Sequence, residues 1–392
     1  MKIEIEKNSF MKSWQIAERA TSTKSTINSL AGILCKAIKN SSEVTLEATD
    51  LKTSVKCKAS GVVVHEGGDI VFPIKVVGEL FKKAPTQTFS VDITGEGRGT
   101  IISGRNRYRF TTYASEEFPH LPSSDSAELF YHITVEELSR MLSEGTVAGS
   151  LGEEFPKYLG AALIQVKENQ LRVVSTDGRR LSLSKTVLEE AGKDTDVLLP
   201  LTGLKEIQRI LSGLENNAPV RVLVDNSLVY FQMEGMEFSI RRIESSFPNY
   251  EKILSPQNTT TMEVSRSDIV SALERVDIVV KDYSRMVVMK ISPKGELTLS
   301  GRAPEIGEAR EVLDAEMDGE PLMIAFNVGY LLDGLKAFHG EKVDLTFNGP
   351  EGQMTMVRPA EDNFLYMLMP IKLTDTDVNS LGEEEEEETD TE

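Results

Sequence analysis

The residues with the most chemical potential stand together at 175–183, STDGRRLSL, where a carboxylate, a glycine and two guanidinium groups fall within four positions, Asp177-Gly178-Arg179-Arg180. Such a set could grip a phosphate, supply half of an acid–base site, or simply bend a hairpin. Asp-Gly is the dipeptide that most favours the positive φ of a tight two-residue turn, and LRVVSTDGRRLSLSK alternates on both sides of it, so the bend needs no chemistry. On alternation alone, Arg179 and Arg180 are solvated residues on opposite faces. Other catalytic spacings are missing from the sequence. Cys35 and Cys57 offer no CxxC pair for zinc or redox work, and His65, His120, His132 and His339 are scattered. No HExxH, GxSxG or GxxxxGK(S/T) stretch occurs. The stretch GEGRG at 95–99 falls between strand-like segments rather than ahead of a helix, which predicts a hairpin loop and not a phosphate loop. No metal and no cofactor is expected.

The elements that would position these residues are constrained first by size. A chain of 392 residues exceeds what one hydrophobic core organises and predicts two or three domains. With 40% hydrophobic and 27% charged residues the composition is that of a globular protein, and no apolar run of membrane-spanning length occurs. MKIEIEKNSF alternates where a signal peptide would be continuously apolar, so the expectation is a cytoplasmic protein with reduced cysteines and no membrane partner. The net charge of −19 is uneven. Eight carboxylates crowd the last ten residues, Asp375 and Asp377 precede them, and without these ten the remainder is about −9. A net-negative body argues against holding DNA by many phosphate contacts, while leaving room for a local basic surface. Residues 374–392 are expected to be a disordered acidic tail.

A search for self-similarity finds three copies of one pattern. DIVFPIKVVGELFKKAP at 69–85 aligns with DVLLPLTGLKEIQRILSG at 196–213 and PLMIAFNVGYLLDGLKAF at 321–338, with Pro73, Pro200 and Phe326 spaced by 127 and 126 residues. EATDLKTSVKCKAS, STDGRRLSLSKT and SGRAPEIGEAREVLD form a second set; FPHLP, FPNYEKILSP and YMLMPIKL close the three copies. These markers predict three tandem homologous domains, 1–122, 123–255 and 256–373, each of two βαβββ halves in an α+β fold. NSFMKSWQIAERA has helical spacing with Asn8 or Ser9 as its N-cap.

The three-domain repeat, the STDGRRL turn, FPNYEKIL and YMLMPIKL, in that order, closely resemble the bacterial DNA polymerase III beta subunits, the sliding-clamp family, over residues 1–373. The resemblance implies the DNA clamp fold: a homodimer closing head to tail into a six-domain ring around double-stranded DNA, independent of sequence. It implies no catalysis. Such a ring confers processivity by tethering the DNA polymerase catalytic subunit and other proteins with short clamp-binding motifs, and it is loaded by an ATP-driven clamp loader. The implied partner-peptide pocket comprises Leu159, Thr176, Gly178, Arg179, Arg180, Leu181, Pro248, Ile253, Met367, Met369, Pro370 and Ile371. The implied DNA-facing residues are Lys24, Lys7, Lys12, Arg19, Lys75, Lys82, Lys83, Arg140, Lys205, Arg209, Arg275 and Lys336, with Lys24 the best single choice. At the implied dimer seam, Tyr108 and Phe110 of one chain meet Ile278 and Val279 of the other, although these four could equally be core of their own domains.

Two departures from the family stand out. The family often has histidine where Arg179 stands, and its chains tend to stop near the match to Leu373, whereas this chain runs on into a glutamate-rich tail that is expected to weaken binding of acidic partner motifs. Two rival readings remain: a carboxylate hydrolase or transferase, for which no supporting constellation emerges, and a repeat-built scaffold that binds peptides but not DNA.

Overall fold

The computed structural model describes residues 1–22, 25–39, 43–95, 97–152, 156–254, 258–293, 295–358 and 361–374; Lys24 and the acidic tail from Asp375 onward lie outside the described residues. In the first repeat β1 (Lys2–Glu6) runs directly into α1 (Lys7–Glu18), then come β2 (Gly32–Ala37), β3 (Val44–Thr49), β4 (Thr53–Ala59), β5 (Val62–Glu66), β6 (Gly68–Pro73), α2 (Glu79–Lys83), β7 (Thr88–Thr94), β8 (Arg98–Ser103) and β9 (Asn106–Thr111). The second repeat has β10 (Glu128–Thr134), α3 (Val135–Gly145), β11 (Ala161–Lys167), β12 (Gln170–Thr176), β13 (Arg180–Val187), β14 (Thr195–Pro200), α4 (Leu201–Leu211), β15 (Pro219–Val224), β16 (Leu228–Met233) and β17 (Met236–Arg241). The third has β18 (Thr260–Ser265), α5 (Arg266–Val280), β19 (Met286–Ser292), β20 (Glu296–Ala303), β21 (Gly307–Asp314), β22 (Glu316–Gly319), β23 (Leu322–Asn327), α6 (Val328–Ala337), β24 (Lys342–Phe347), β25 (Met354–Arg358) and β26 (Glu361–Leu368). The α+β order βαβββ therefore occurs twice in each repeat, and the first and third repeats each insert one further strand, β5 and β22.

Local chemistry explains the element ends. Asn8 and Ser9 do not cap α1 as their side-chain types suggested. Glu6, the last residue of β1, does so, its carboxylate accepting from Asn8 N at 3.1 Å and Ser9 N at 2.8 Å, because the strand runs into the helix without a loop and the cap position falls on the strand. The helix then buries Phe10 and Trp14, and Phe81 of α2 stands edge-on to Trp14 with ring centroids 5.2 Å apart. Truncating such a fully buried ring costs on the order of 3–5 kcal/mol. Ahead of α2, Ile74–Gly78 form one wide turn of π-helix, so the helical stretch changes pitch at Glu79.

The chain divides into two compact units, and the division cuts the central repeat. One unit holds Met1–Ser139, Val166–Asn169 and Leu188–Ile243. Its larger sheet runs β10-β15-β16-β17-β4-β3-β2-β6 and its smaller one β5-β1-β7-β8-β9. The other holds Arg140–Gln165, Gln170–Val187 and the chain from Glu244 on. Its strands run β11-β12-β13-β26-β25-β24-β18-β22 in one sheet and β21-β20-β19-β23 in the other. Each unit thus contains one junction between successive repeats, β17 on β4 and β26 on β13. The registers correspond. Ile240↔Thr53, Ser239↔Ser54 and Phe238↔Val55 in the first junction match Leu368↔Arg180, Met367↔Leu181 and Tyr366↔Ser182 in the second once Thr49-Asp50 is aligned with Thr176-Asp177. No helix among the described residues is long and apolar enough to cross a membrane.

Candidate functional site

The STDGRRL turn is not the two-residue hairpin its Asp-Gly suggested. The last ladder pair is Thr176↔Leu181, which leaves four residues in the bend. Asp177 Oδ1 accepts from the backbone N–H of Arg179 at 2.9 Å and of Arg180 at 3.1 Å, while Thr176 Oγ1 accepts from Gly178 N and donates to Arg180 O at 2.6 Å. A carboxylate that closes its own turn in this way favours the longer loop. The first repeat builds the same corner. Asp50 Oδ1 accepts from Lys52 N and Thr53 N, and Thr49 Oγ1 donates to Thr53 O at 2.7 Å. Leu51 there has φ 72, where Gly178 has φ 86. The turn is therefore repeated framework, and what distinguishes the second copy is Arg180 in the place of Thr53.

Arg180 is nearly buried, with 9% of its side chain exposed. Its Nε donates to Asp177 Oδ2 at 2.9 Å, and its Nη1 donates to Asp333 Oδ2 at 2.7 Å and Tyr366 Oη at 3.2 Å. The guanidinium carbon sits 4.2 Å from the centre of the Tyr330 ring, a cation–π contact that desolvation strengthens. Burial opposes its charge, but Tyr366, Asp333 and Asp177 outweigh burial and raise its pKa further. Burial likewise raises the Tyr366 hydroxyl, which donates to the Tyr330 carbonyl at 2.8 Å. Arg180 therefore links the turn of the second repeat to α6 and β26 of the third.

Around this post the proposed pocket residues separate into framework and surface. Leu181, Met367 and Thr176 are buried, and Gly178 lies at the exposed tip of the turn. Arg179 is exposed; its carbonyl accepts from Met369 N at 2.9 Å. The chain then continues through Pro370 to Ile371, whose N–H donates to Ala325 O at 2.7 Å. Met369 and Ile253 present 48% and 44% of their surface, and Leu159, Pro248, Pro370 and Ile371 are half-buried. The connector carrying Pro248 is fixed by Phe247 against Tyr158 and by Tyr250 Oη donating to Gln165 Oε1 at 3.0 Å. Gln353 Nε2 holds the Ile253 carbonyl at 3.1 Å; the next residue, Met354, pairs with Leu368, and Leu368 with Arg180. An apolar surface rich in methionine and proline, framed by rigid backbone, can receive an extended apolar segment.

The basic residues divide by partner. Arg140 turns toward the fully buried Glu144 at 2.6 Å, with 20% of its own side chain exposed, so its charge is largely matched within the fold. Arg358 Nη2 and Ser184 Oγ bind the same carboxylate at 2.6 and 2.7 Å, tying α3 to the β25–β26 hairpin. Arg275 is held by Glu311 at 2.7 and 2.6 Å, and Lys336 by Glu274 at 2.7 Å. In the other unit, Lys82 reaches Glu18 at 3.6 Å, Arg19 reaches Glu206 at 3.5 Å, and Arg209 also binds Glu206, so α1, α2 and α4 share one laced surface. Lys83 pairs with Glu79, and Lys7 donates to the Ala84 carbonyl. Lys12, Lys75 and Lys205 are exposed with no ion pair among the described residues. Of the four seam candidates, Phe110 is buried against Phe72 with Tyr108 partly exposed beside it, and Val279 packs on the core while Ile278 is 67% exposed.

Sequence reasoning missed Tyr330, Asp333 and Glu144. Nothing local marks Asp333, which lies 153 residues from Arg180, whereas Tyr366 opens the YMLMPIKL marker and was within reach. Among the described residues no cluster of His, Cys, Asp and Glu fits a metal ion.

Sequence profiles of the DNA polymerase III beta subunit match the chain in three parts: the N-terminal domain over 1–122, the central domain over 132–249 and the C-terminal domain over 251–372. The beta sliding clamp of Synechococcus elongatus is 25% identical over 379 residues, covering 95% of this chain and 100% of that protein. The crystal structure of the Thermotoga maritima DNA polymerase III beta subunit matches with a TM-score of 0.86 at 25% identity, and that of the Bacillus subtilis DNA polymerase sliding clamp with 0.89 at 24%, each over 95% of this chain and 100% of the other.

Proposed function

We infer that this chain, which belongs to the DNA polymerase III beta subunit family, works as a sliding clamp, a non-catalytic processivity factor of DNA replication. The observation that carries the ring is the repeated junction. The last strand of the second repeat, β17, pairs with β4, and the last strand of the third, β26, pairs with β13 in the corresponding register. In the same series the last strand of the first repeat is β9 and the fourth strand of the third is β21, and both end their sheets. A second copy can supply each to the other. Two heterologous contacts of this kind close a dimer of six repeats, and closure pairs both of these sheet edges. Tyr108, Phe110, Ile278 and Val279 adjoin that seam.

Encirclement reconciles a net charge of −19 with DNA. A topological link needs no tight phosphate grip, and a few exposed cations let the ring slide along the duplex. Lys12, Lys75 and Lys205 are the cations best suited to that role, Lys24 being a further candidate outside the described residues. The apolar surface around Met369 would dock short motifs of the polymerase catalytic subunit, the clamp loader and other DNA-processing proteins. The deciding experiment loads the protein onto nicked circular duplex DNA with a bacterial clamp loader and ATP, then cuts the circle once. Retention on the circle with release on cutting is expected. Retention that survives linearisation would mean contact binding, and no loading by a competent loader would favour a peptide-binding scaffold.

A further inference from the structure

Each segment that forms the apolar pocket carries one exposed cation beside its pocket residue. Lys157 precedes Leu159, Arg179 adjoins Arg180, Lys252 precedes Ile253, and Lys372 follows Ile371. None of the four side chains has an ion pair among the described residues. The neighbouring carboxylates among the described residues are engaged instead: Asp177 and Asp333 bind Arg180, and Glu251 binds Arg172 at 2.8 Å, and of these described neighbours only Glu351 of the adjoining loop has no ion pair. In a chain of net charge −19, unpaired cations gathered around an apolar surface form a rim suited to carboxylates. The chain itself supplies them. The last described residue, Thr374, follows directly on Lys372-Leu373 at this rim, and Glu383, the first of six consecutive glutamates, lies nine residues further on, within about 30 Å of extended chain.

We propose that residues 375–392 of the chain's own acidic tail occupy the basic rim formed by Lys157, Arg179, Lys252 and Lys372, competing with partner peptides whose apolar anchors are flanked by acidic residues. The inference rests on the pocket reading and adds its selectivity: neutral-flanked motifs bind unimpeded, acidic-flanked motifs must displace the tail. Tethering gives the tail a high effective concentration at the rim, so weak individual contacts suffice.

The test compares the full chain with one ending at Thr374, using two fluorescein-labelled decapeptides that share a leucine and phenylalanine core, one flanked by glutamates and one by serines. Anisotropy titrations at about 0.01 M and about 1 M salt span Debye lengths from ~30 to ~3 Å. At low salt, removing the tail should tighten the acidic-flanked peptide about five- to tenfold, with the serine-flanked peptide unchanged within about twofold and the acidic-peptide difference gone at high salt. Carbodiimide coupling of the full chain should join tail glutamates to Lys157, Lys252 or Lys372 within one molecule. Equal affinities of the acidic-flanked peptide for both chains at low salt, or tail crosslinks only to other lysines, overturn the proposal. A serine-flanked peptide that binds neither chain overturns the pocket reading itself, and this inference with it.

Discussion

Gly334 of α6 lies flat against the ring of Tyr366: a Cβ on the glycine would sit 2.6 Å from ring carbon Cδ1. The glycine sets where the Tyr366 hydroxyl stands, and that hydroxyl bonds both the Tyr330 carbonyl and Arg180. Gly334→Ala is expected to destabilise the third repeat by about 1–3 kcal/mol through overpacking. It should also weaken peptide binding at the pocket, because the ring must shift and take the Arg180 contact with it. Chemical denaturation and peptide anisotropy read the two effects. A stable variant with unaltered affinity would show that Tyr366 does not govern the pocket.

Arg180 itself should be harder to replace. Arg180→Met removes the donor to Asp177, Asp333 and Tyr366 while keeping much of the volume, and leaving a nearly buried carboxylate such as Asp177 unpaired costs roughly 2–4 kcal/mol. Arg180→Lys keeps the charge but cannot reach three acceptors with a planar fork, so an intermediate loss is expected. Arg179→Ser, adjacent in sequence but solvated, should leave the melting temperature unchanged. If Arg180→Met melts with the wild type, the post is not structural.

What the sequence made legible was periodic and local. The 126–127-residue repeat, the strand alternation around STDGRRL and the apolar MLMPI run each follow from side chains within a few positions of one another, and the fold bears out the α+β reading and the halves of each repeat. What stayed hidden depends on partners far along the chain. Arg179 and Arg180 read alike in sequence, yet one is exposed and the other is held by Asp333, because only β13 pairing with β26 brings α6 within reach. For the same reason Arg140 read as a surface cation, whereas Glu144 one turn later is fully buried and draws it in. The cap of α1 was misread since a glutamate ending a strand carries no capping signature.

The basic helices of the unit that begins with Met1 should carry the DNA contact. Replacing Lys12, Lys75 and Lys205 by alanine is expected to flatten the dependence of log K on log salt by about 0.9 for each phosphate that is no longer neutralised. Arg275→Ala and Lys336→Ala, which remove cations already neutralised by Glu311 and Glu274, should leave the slope nearly unchanged. Short linear duplexes are the right substrate, since encirclement does not hold on them. The opposite ranking would move the DNA-facing surface to α5 and α6.

Ile278 offers a clean test of the seam because it is 67% exposed in the single chain. Ile278→Asp should leave unfolding of the protomer within about 0.5 kcal/mol of wild type, as surface substitutions do, yet shift the sedimentation profile from dimer to monomer and abolish retention on circular DNA. A variant that stays dimeric at micromolar concentration would place the seam elsewhere and break the correspondence of β9 and β21 with the internal junctions.

The two cysteines give a pH dependence whose sign can be worked out. Burial pushes the thiols of Cys35 and Cys57 up to about 12 from an ordinary value near 9, with Asp69 adding to the shift at Cys35. The folded state therefore keeps both protons while the unfolded chain begins to lose them near pH 9. The stabilisation from the neutral thiols is fully present below pH 9 and falls between pH 9 and 12, by about 1.4 kcal/mol per pH unit for each thiol. Lysine titration also erodes stability at high pH, so the comparison that isolates the thiols is wild type against Cys35→Ala with Cys57→Ala. Urea unfolding at pH 7 and pH 10.5 should show the wild type losing more stability than the double variant, and at pH 8 a disulfide-exchange reagent should label neither thiol in the native protein and both in denaturant. Fast native labelling at either position would mean that its thiol is open to solvent on the timescale of the assay, and equal pH slopes would remove burial as the source of the shift.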